Sequence, residues 1–198
     1  MVIALLFLVY IYSSVQFSYF FTYIFHKKRL DREGSRNIGV ANAFRTGGFR
    51  VGFLSVLGDV SKALLPILLS SLFYSADRRM SFIFLLVAVF GTRFPLFLIK
   101  QGGKGRTVAG WGMLFTFPLA TFLLSVVWTA VLLISRMDTF ISLIVTSLAV
   151  PLLLFAVYGD VFLMLLGIIL TVLVLLRSSR KNDDFIFYGV FRSNESDK

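Results

Sequence analysis

Apolar stretches close to the length of a bilayer crossing recur along this chain, and they constrain its fold more than any single residue. A helix needs about 20 apolar residues to span the hydrocarbon core. Such stretches occupy 2–25, 51–74, 80–99, 107–135, 139–157 and 161–176, with short polar segments between them. A soluble domain of 198 residues has no core large enough to hide them, since 58% of the chain is hydrophobic and only 15% charged. In lipid that limit disappears. The expected fold is therefore all-α, a polytopic transmembrane helical bundle forming a single integral-membrane domain over 1–198. Residues 2–25 read as a retained first transmembrane helix, because no basic residue precedes them and His26-Lys27-Lys28-Arg29 stands where a signal would be cleaved.

The net charge of +10 comes from 20 Lys/Arg against 10 Asp/Glu. In a membrane protein such an excess gathers in cytoplasmic loops and meets anionic headgroups of the membrane lipids. No basic domain or recognition module is visible, so no nucleic-acid partner is expected. The chain has no Cys and a single His, His26, so neither a disulfide framework nor a metal site is expected. The first loop carries Lys27, Lys28, Arg29, Arg32, Arg36, Arg45 and Arg50, which places it inside and the N-terminus outside. Six crossings would then strand Arg136 and the tail's Arg177, Arg180, Lys181, Arg192 and Lys198 outside. One more reversal repairs this, and 107–135 is long enough to supply it, with Gly110, Gly112 and Pro118 permitting a break. The expectation is seven helices with the C-terminus cytoplasmic. The alternative is six, with one helix kinked at Pro118.

Three polar groups stand out against this apolar background. The run from Gly34 to Gly48 interleaves Gly, Ser, Asn and Arg, so small residues admit an anion to the backbone while Ser35, Asn37, Asn42 and Arg45 supply donors. Arg suits phosphate because its planar fork bonds two oxygens at once. A solvated basic loop explains the charges but not the Gly, Ser and Asn spacing. Asp59 and Lys62 lie three residues apart on one helical face, where charges are costly and mark a bundle interior or a site. Gly102-Gly103-Lys104-Gly105 precedes a helix start and has the makings of a small phosphate nest, although a flexible basic turn would have the same composition.

Together these residues resemble the bacterial acyl-phosphate:glycerol-3-phosphate acyltransferase family, PlsY. Its first motif, Gly-Ser-x-Asn-x-Gly-x-x-Asn-x-x-Arg, is met by Gly34, Ser35, Asn37, Gly39, Asn42 and Arg45, and its following Asp-x-x-Lys pair by Asp59 and Lys62. The second motif is met by Gly91, Phe94, Pro95, Gly102, Gly103, Lys104 and Gly105, with Thr92 where the family has His. The third is met only by Asn182 and Gly189, and its His position reads Ser179.

The resemblance implies transfer of a fatty acyl group from acyl phosphate to the 1-hydroxyl of glycerol 3-phosphate, giving lysophosphatidic acid at the cytoplasmic face of a bacterial inner membrane. No cofactor is implied. Arg45 and Lys104 would meet phosphate charge, and Ser35 with the Gly102, Gly103 and Gly105 amides would bind phosphate oxygens or the developing oxyanion. Gly39 belongs to the same phosphate loop. Asn37, Asn42 and Asn182 would orient glycerol 3-phosphate, Asp59 and Lys62 would brace the site, and Ser142 and Tyr188 are further lining candidates. Two rival readings remain: a degenerate paralogue with weak or altered activity, suggested by the missing histidines, and a small anion transporter.

Overall fold

The computed structural model describes residues 1–96, 102–176 and 178. The helices are α1 Val2–Ser13, α2 Phe17–His26, α3 Val40–Phe73, α4 Arg78–Arg93, α5 Arg106–Thr116, α6 Pro118–Ile134, α7 Thr139–Tyr158 and α8 Val161–Leu175. No strand occurs among the described residues. Val2–His26, Val40–Phe73 and Thr139–Tyr158 are long and apolar enough to cross a membrane, and Pro118–Ile134 and Val161–Leu175 are shorter apolar helices. Taking Val2–His26 as one interrupted span leaves seven helical segments among the described residues, the number that the charge pattern predicts.

The decisive break falls after α5. Phe117 leaves the helical region at φ −132°, ψ 63°, and α6 begins at Pro118. Proline is well placed at a first helical position, where its missing N–H costs nothing. A single kinked helix over 107–135 is thereby ruled out.

Two further interruptions were not expected. The first apolar stretch breaks over 14–16, between α1 and α2, where Ser13, Ser14 and Gln16 are all buried. Helix α3 starts at Val40, inside the segment read as loop, and bends at Gly48, whose φ of 73° and ψ of −175° lie outside helical space. His26, at the end of α2, donates through Nε2 to the Gly47 carbonyl at 3.0 Å, just before that bend. Arg50, just after it, stacks over the Phe25 ring at 4.6 Å.

The chain forms two compact units, Met1–Pro118 and Leu119–Lys198. In the first, α3 packs against α1, α2, α4 and α5, and α4 also packs against α1 and α5. Glycines allow the close contacts: a side chain at Gly58 would run into the Phe17 ring, and one at Gly112 into Leu85. Packing of this kind replaces the hydrophobic drive that lipid does not provide. In the second unit α7 and α8 form a hairpin through Gly159, at φ 64°, with Thr171 Oγ1 donating to the Ser147 carbonyl at 2.6 Å. Asp138 and Asp160 cap α7 and α8 by accepting from backbone N–H groups of their first turns.

Gly48 yields a direct prediction. Its backbone region is essentially closed to residues with a Cβ, although open space surrounds it. Gly48→Ala is expected to destabilise the protein by roughly 1–3 kcal/mol, the usual cost of such backbone strain. A lowered thermal midpoint in detergent checks this, and an unchanged midpoint would contradict it.

Candidate active site

The first polar loop owes its shape to one side chain. Asn42, in the first turn of α3 and fully buried, donates through Nδ2 to the carbonyls of Leu30 at 3.3 Å, Glu33 at 3.0 Å and Asn37 at 3.0 Å. Its Oδ1 accepts from the Ser35 N–H at 3.3 Å and from the Thr46 hydroxyl at 3.4 Å. Leu30 and Ile38 anchor the loop from below, packing with Ala43 and Val51. Ser35 and Asn37 are therefore held half-buried on a defined backbone, and Arg45, three residues beyond Asn42 on α3, is exposed. Asp31 pairs with Arg29 at 2.8 Å, and this guanidinium holds the Asp31 carboxyl below the usual carboxylate range.

The glycine loop folds back on the end of α4 and meets the first loop. A Cβ on Gly102 would collide with the Thr92 carbonyl and lie 2.7 Å from that of Arg93. A Cβ on Gly103 would lie 2.6 Å from the Ile38 carbonyl oxygen. Only backbone fits there, so the two motifs, more than sixty residues apart, are in direct contact. The Arg93 guanidinium donates to the Lys104 carbonyl at 3.2 Å, and the Gly103 N–H donates to Gln16 Oε1 at 3.1 Å. Gly105, at φ 71°, turns the chain into α5, whose N-terminus brings its positive end to the loop. Lys104 is half-buried.

Asp59 and Lys62 form an ion pair at 3.4 Å, with the Lys62 side chain fully buried and its Nζ 5.3 Å from the centre of the Phe17 ring. The pair thus abuts the start of α2, immediately after the α1–α2 break. Ser142 lies in the second unit, in the first turn of α7, where its hydroxyl donates to the Asp138 carbonyl at 2.9 Å. Asn182 and Tyr188 lie outside the described residues, as does Ser179. Among the described residues there is no group of three or more His, Cys, Asp or Glu that could hold a metal ion.

Thr92, in the family's histidine position, is buried, and its hydroxyl donates to the carbonyls of Ala88 at 2.9 Å and Ser13 at 3.2 Å. It ties α4 to α1. Reading the motifs alone passes over Gln16 and Arg93, although both touch the glycine loop. Gln16 did carry a signal, as an amide inside an apolar stretch.

These features define a membrane-embedded helical protein that presents two small-residue, basic loops against each other. A family model described as "Glycerol-3-phosphate acyltransferase" matches residues 3–186. The chain is 34% identical over 186 residues to the glycerol-3-phosphate acyltransferase of Syntrophomonas wolfei subsp. wolfei, covering 94% of this chain and 93% of that protein. It is 36% identical over 167 residues to the glycerol-3-phosphate acyltransferase of Pelagibacter ubique, covering 81% and 83%. Its fold matches the crystal structure of PlsY (YgiH), an integral membrane glycerol 3-phosphate acyltransferase, in the glycerol 3-phosphate form, with TM-score 0.78 at 23% identity over 96% of this chain and 94% of that one. The chain belongs to the glycerol-3-phosphate acyltransferase family, and it is a multi-pass membrane protein.

Two substitutions probe the architecture. Asn42→Leu keeps the bulk but leaves three carbonyls and one N–H without this partner; each buried group left unsatisfied costs about 1–3 kcal/mol. Faster proteolysis within 30–39 and a lower thermal midpoint are expected. Gly103→Ala should push the two loops apart, with a loss of activity exceeding its loss of stability.

Proposed function

We propose that this membrane acyltransferase moves a fatty acyl group from acyl phosphate to the 1-hydroxyl of glycerol 3-phosphate, releasing lysophosphatidic acid and inorganic phosphate. The observation that carries the reading is the contact between the glycine loop and the first-motif loop at Gly103 and Ile38. That contact supports a single site built from the small-residue backbone of both loops, with Ser35 and Asn37 on the first, Lys104 on the second, and Arg45 on the same short helical segment as Asn42. Family membership and the glycerol 3-phosphate acyltransferase names of the relatives support the acceptor.

The chemistry asks little of a protein side chain beyond charge and position. The glycerol hydroxyl attacks the acyl carbonyl, the bond from that carbon to the phosphate oxygen breaks, and the hydroxyl proton passes to a phosphate oxygen. Acyl phosphate is already activated, so holding the charge of the departing phosphate and orienting the hydroxyl supply much of the rate. Arg45 and Lys104 meet that charge. Ser35 and the glycine-loop amides receive phosphate oxygens or the oxyanion, with the Gly103 N–H set apart because it is already donated to Gln16. Asn37 and Asn182 orient glycerol 3-phosphate, and Gly39 keeps the loop open beside them. Asn42 acts through the loop it ties together, and Asp59 with Lys62 braces α3 against the first span. Ser142 and Tyr188 would line the approach. The acyl chain lies among the apolar helices.

The excess of Lys and Arg in 27–50 and 104–106 supports placing this region at the cytoplasmic face of the bacterial inner membrane. At the family's histidine position the Thr92 hydroxyl is engaged in helix packing, and the match to glycerol-3-phosphate acyltransferases over most of the chain supports an active enzyme over a degenerate one.

The test is acyl transfer by the purified protein in lipid, with acyl phosphate and labelled glycerol 3-phosphate. Wild type should form lysophosphatidate. Arg45→Ala and Lys104→Ala should each lower kcat/KM by about 100-fold, within the range for losing a preorganised charge contact at a reacting centre. A wild type without product in any lipid would overturn the reading.

A further inference from the structure

Gln16 sits in the break between α1 and α2, is only 7% exposed, and spends its whole amide on three backbone groups. Its Nε2 donates to the carbonyls of Thr92 at 2.9 Å and Ser14 at 3.3 Å, and its Oε1 accepts from the Gly103 N–H at 3.1 Å. The amide orientation is dictated by these partners: two carbonyls can only accept, and one N–H can only donate. Thr92 and Ser14 belong to the ends of α4 and α1, where helical carbonyls have run out of intrahelical donors. One NH2 group therefore serves two helix ends while the oxygen of the same side chain holds the glycine loop.

We propose that Gln16 is a positioning residue for acyl transfer, one that seats the glycine loop against the first-motif loop. The role rests on the function proposed above. Gln16 grips the loop at the Gly103 N–H, and Arg93 grips it at the Lys104 carbonyl at 3.2 Å. The two consecutive residues are thus clamped at both ends by side chains from α4 and the α1–α2 break. The Lys104 side chain projects from the clamped segment, and Gly103 is the point where the loop touches Ile38. Neither clamp falls within the polar positions that the family motifs mark. Gln16 reaches the reacting groups only through the loop, so its removal should change how phosphate is received before it changes the fold.

Gln16→Met keeps length and volume and removes all three bonds. Gln16→Glu keeps an acceptor for Gly103 but points a carboxylate at two carbonyls and places a negative charge beside a loop meant for anions. Tyr12→Phe is the matched control, because it removes another side-chain hydrogen bond of the first span, the part-buried 2.7 Å bond to Ser61, without touching the loop.

The full chain in lipid is assayed with acyl phosphate and labelled glycerol 3-phosphate, varying each, and amide hydrogen exchange is followed at Gly103. Gln16→Met is expected to lose about tenfold in kcat/KM, equivalent to one buried hydrogen bond left unmade, and to exchange faster at Gly103. Gln16→Glu should raise KM for a phosphate substrate more than it lowers kcat, with partial recovery in high salt. Tyr12→Phe should stay within about twofold of wild type, since it leaves the loop's bonds intact. Wild-type kinetics in Gln16→Met, or unchanged Gly103 exchange, would overturn the role. If Gln16→Met does not fold, Gln16→Glu and the wild-type exchange rate decide: a Gly103 amide exchanging as fast as an exposed loop contradicts the clamp. A wild type that makes no lysophosphatidate sinks the functional reading as a whole, an outcome distinct from an active wild type with an unimpaired Gln16→Met.

Discussion

Irregular backbone buried in a membrane protein must find hydrogen-bond partners within the protein, since hydrocarbon offers none and each unpaired group costs several kcal/mol. Two primary amides resolve much of that demand here. Gln16 serves Ser14, Thr92 and Gly103 across the first break, and Asn42 serves Leu30, Glu33, Ser35 and Asn37 across the first loop. A primary amide suits the task because it carries donors and an acceptor on one rigid plane. A hydroxyl has one donor, and a carboxylate has none at neutral pH.

With the loops tied from within, their surfaces are left to meet each other. The Gly103 backbone approaches the Ile38 carbonyl too closely for any side chain, and Arg93 holds the next carbonyl along. Arg45 and Lys104 are therefore carried on segments whose backbone is tied by hydrogen bonds from within the protein. For the function proposed above, such internal ties would make a charge contact effective, because a group already in place needs no rearrangement when the reaction occurs. The bend at Gly48, with His26 on the Gly47 carbonyl, separates the short helical segment bearing Asn42 and Arg45 from the long apolar part of α3.

The departures from the family motifs look different once packing is known. Thr92, at the family's histidine position, is a fastener between α1 and α4, with its hydroxyl on Ser13 and its carbonyl on Gln16. The chain's only histidine has its own structural task at the Gly48 bend.

Much of the architecture was legible in sequence. Apolar length announced the spans, and charge asymmetry with Pro118 required the interruption that Phe117 makes. The Asp59–Lys62 spacing put both charges on one helical face, because such neighbours are set by its pitch alone, and the structure shows them paired. Such features are local or compositional, and a single chain displays them directly. The tertiary structure decided what depends on distant contact: the break at 14–16, the seating of Gly103 on Ile38, the use of Asn42 as a tie, and the engagement of Gln16 and Arg93 with one loop. A buried polar residue in an apolar run shows that a partner must exist, but only the packing of helices says which backbone group it is.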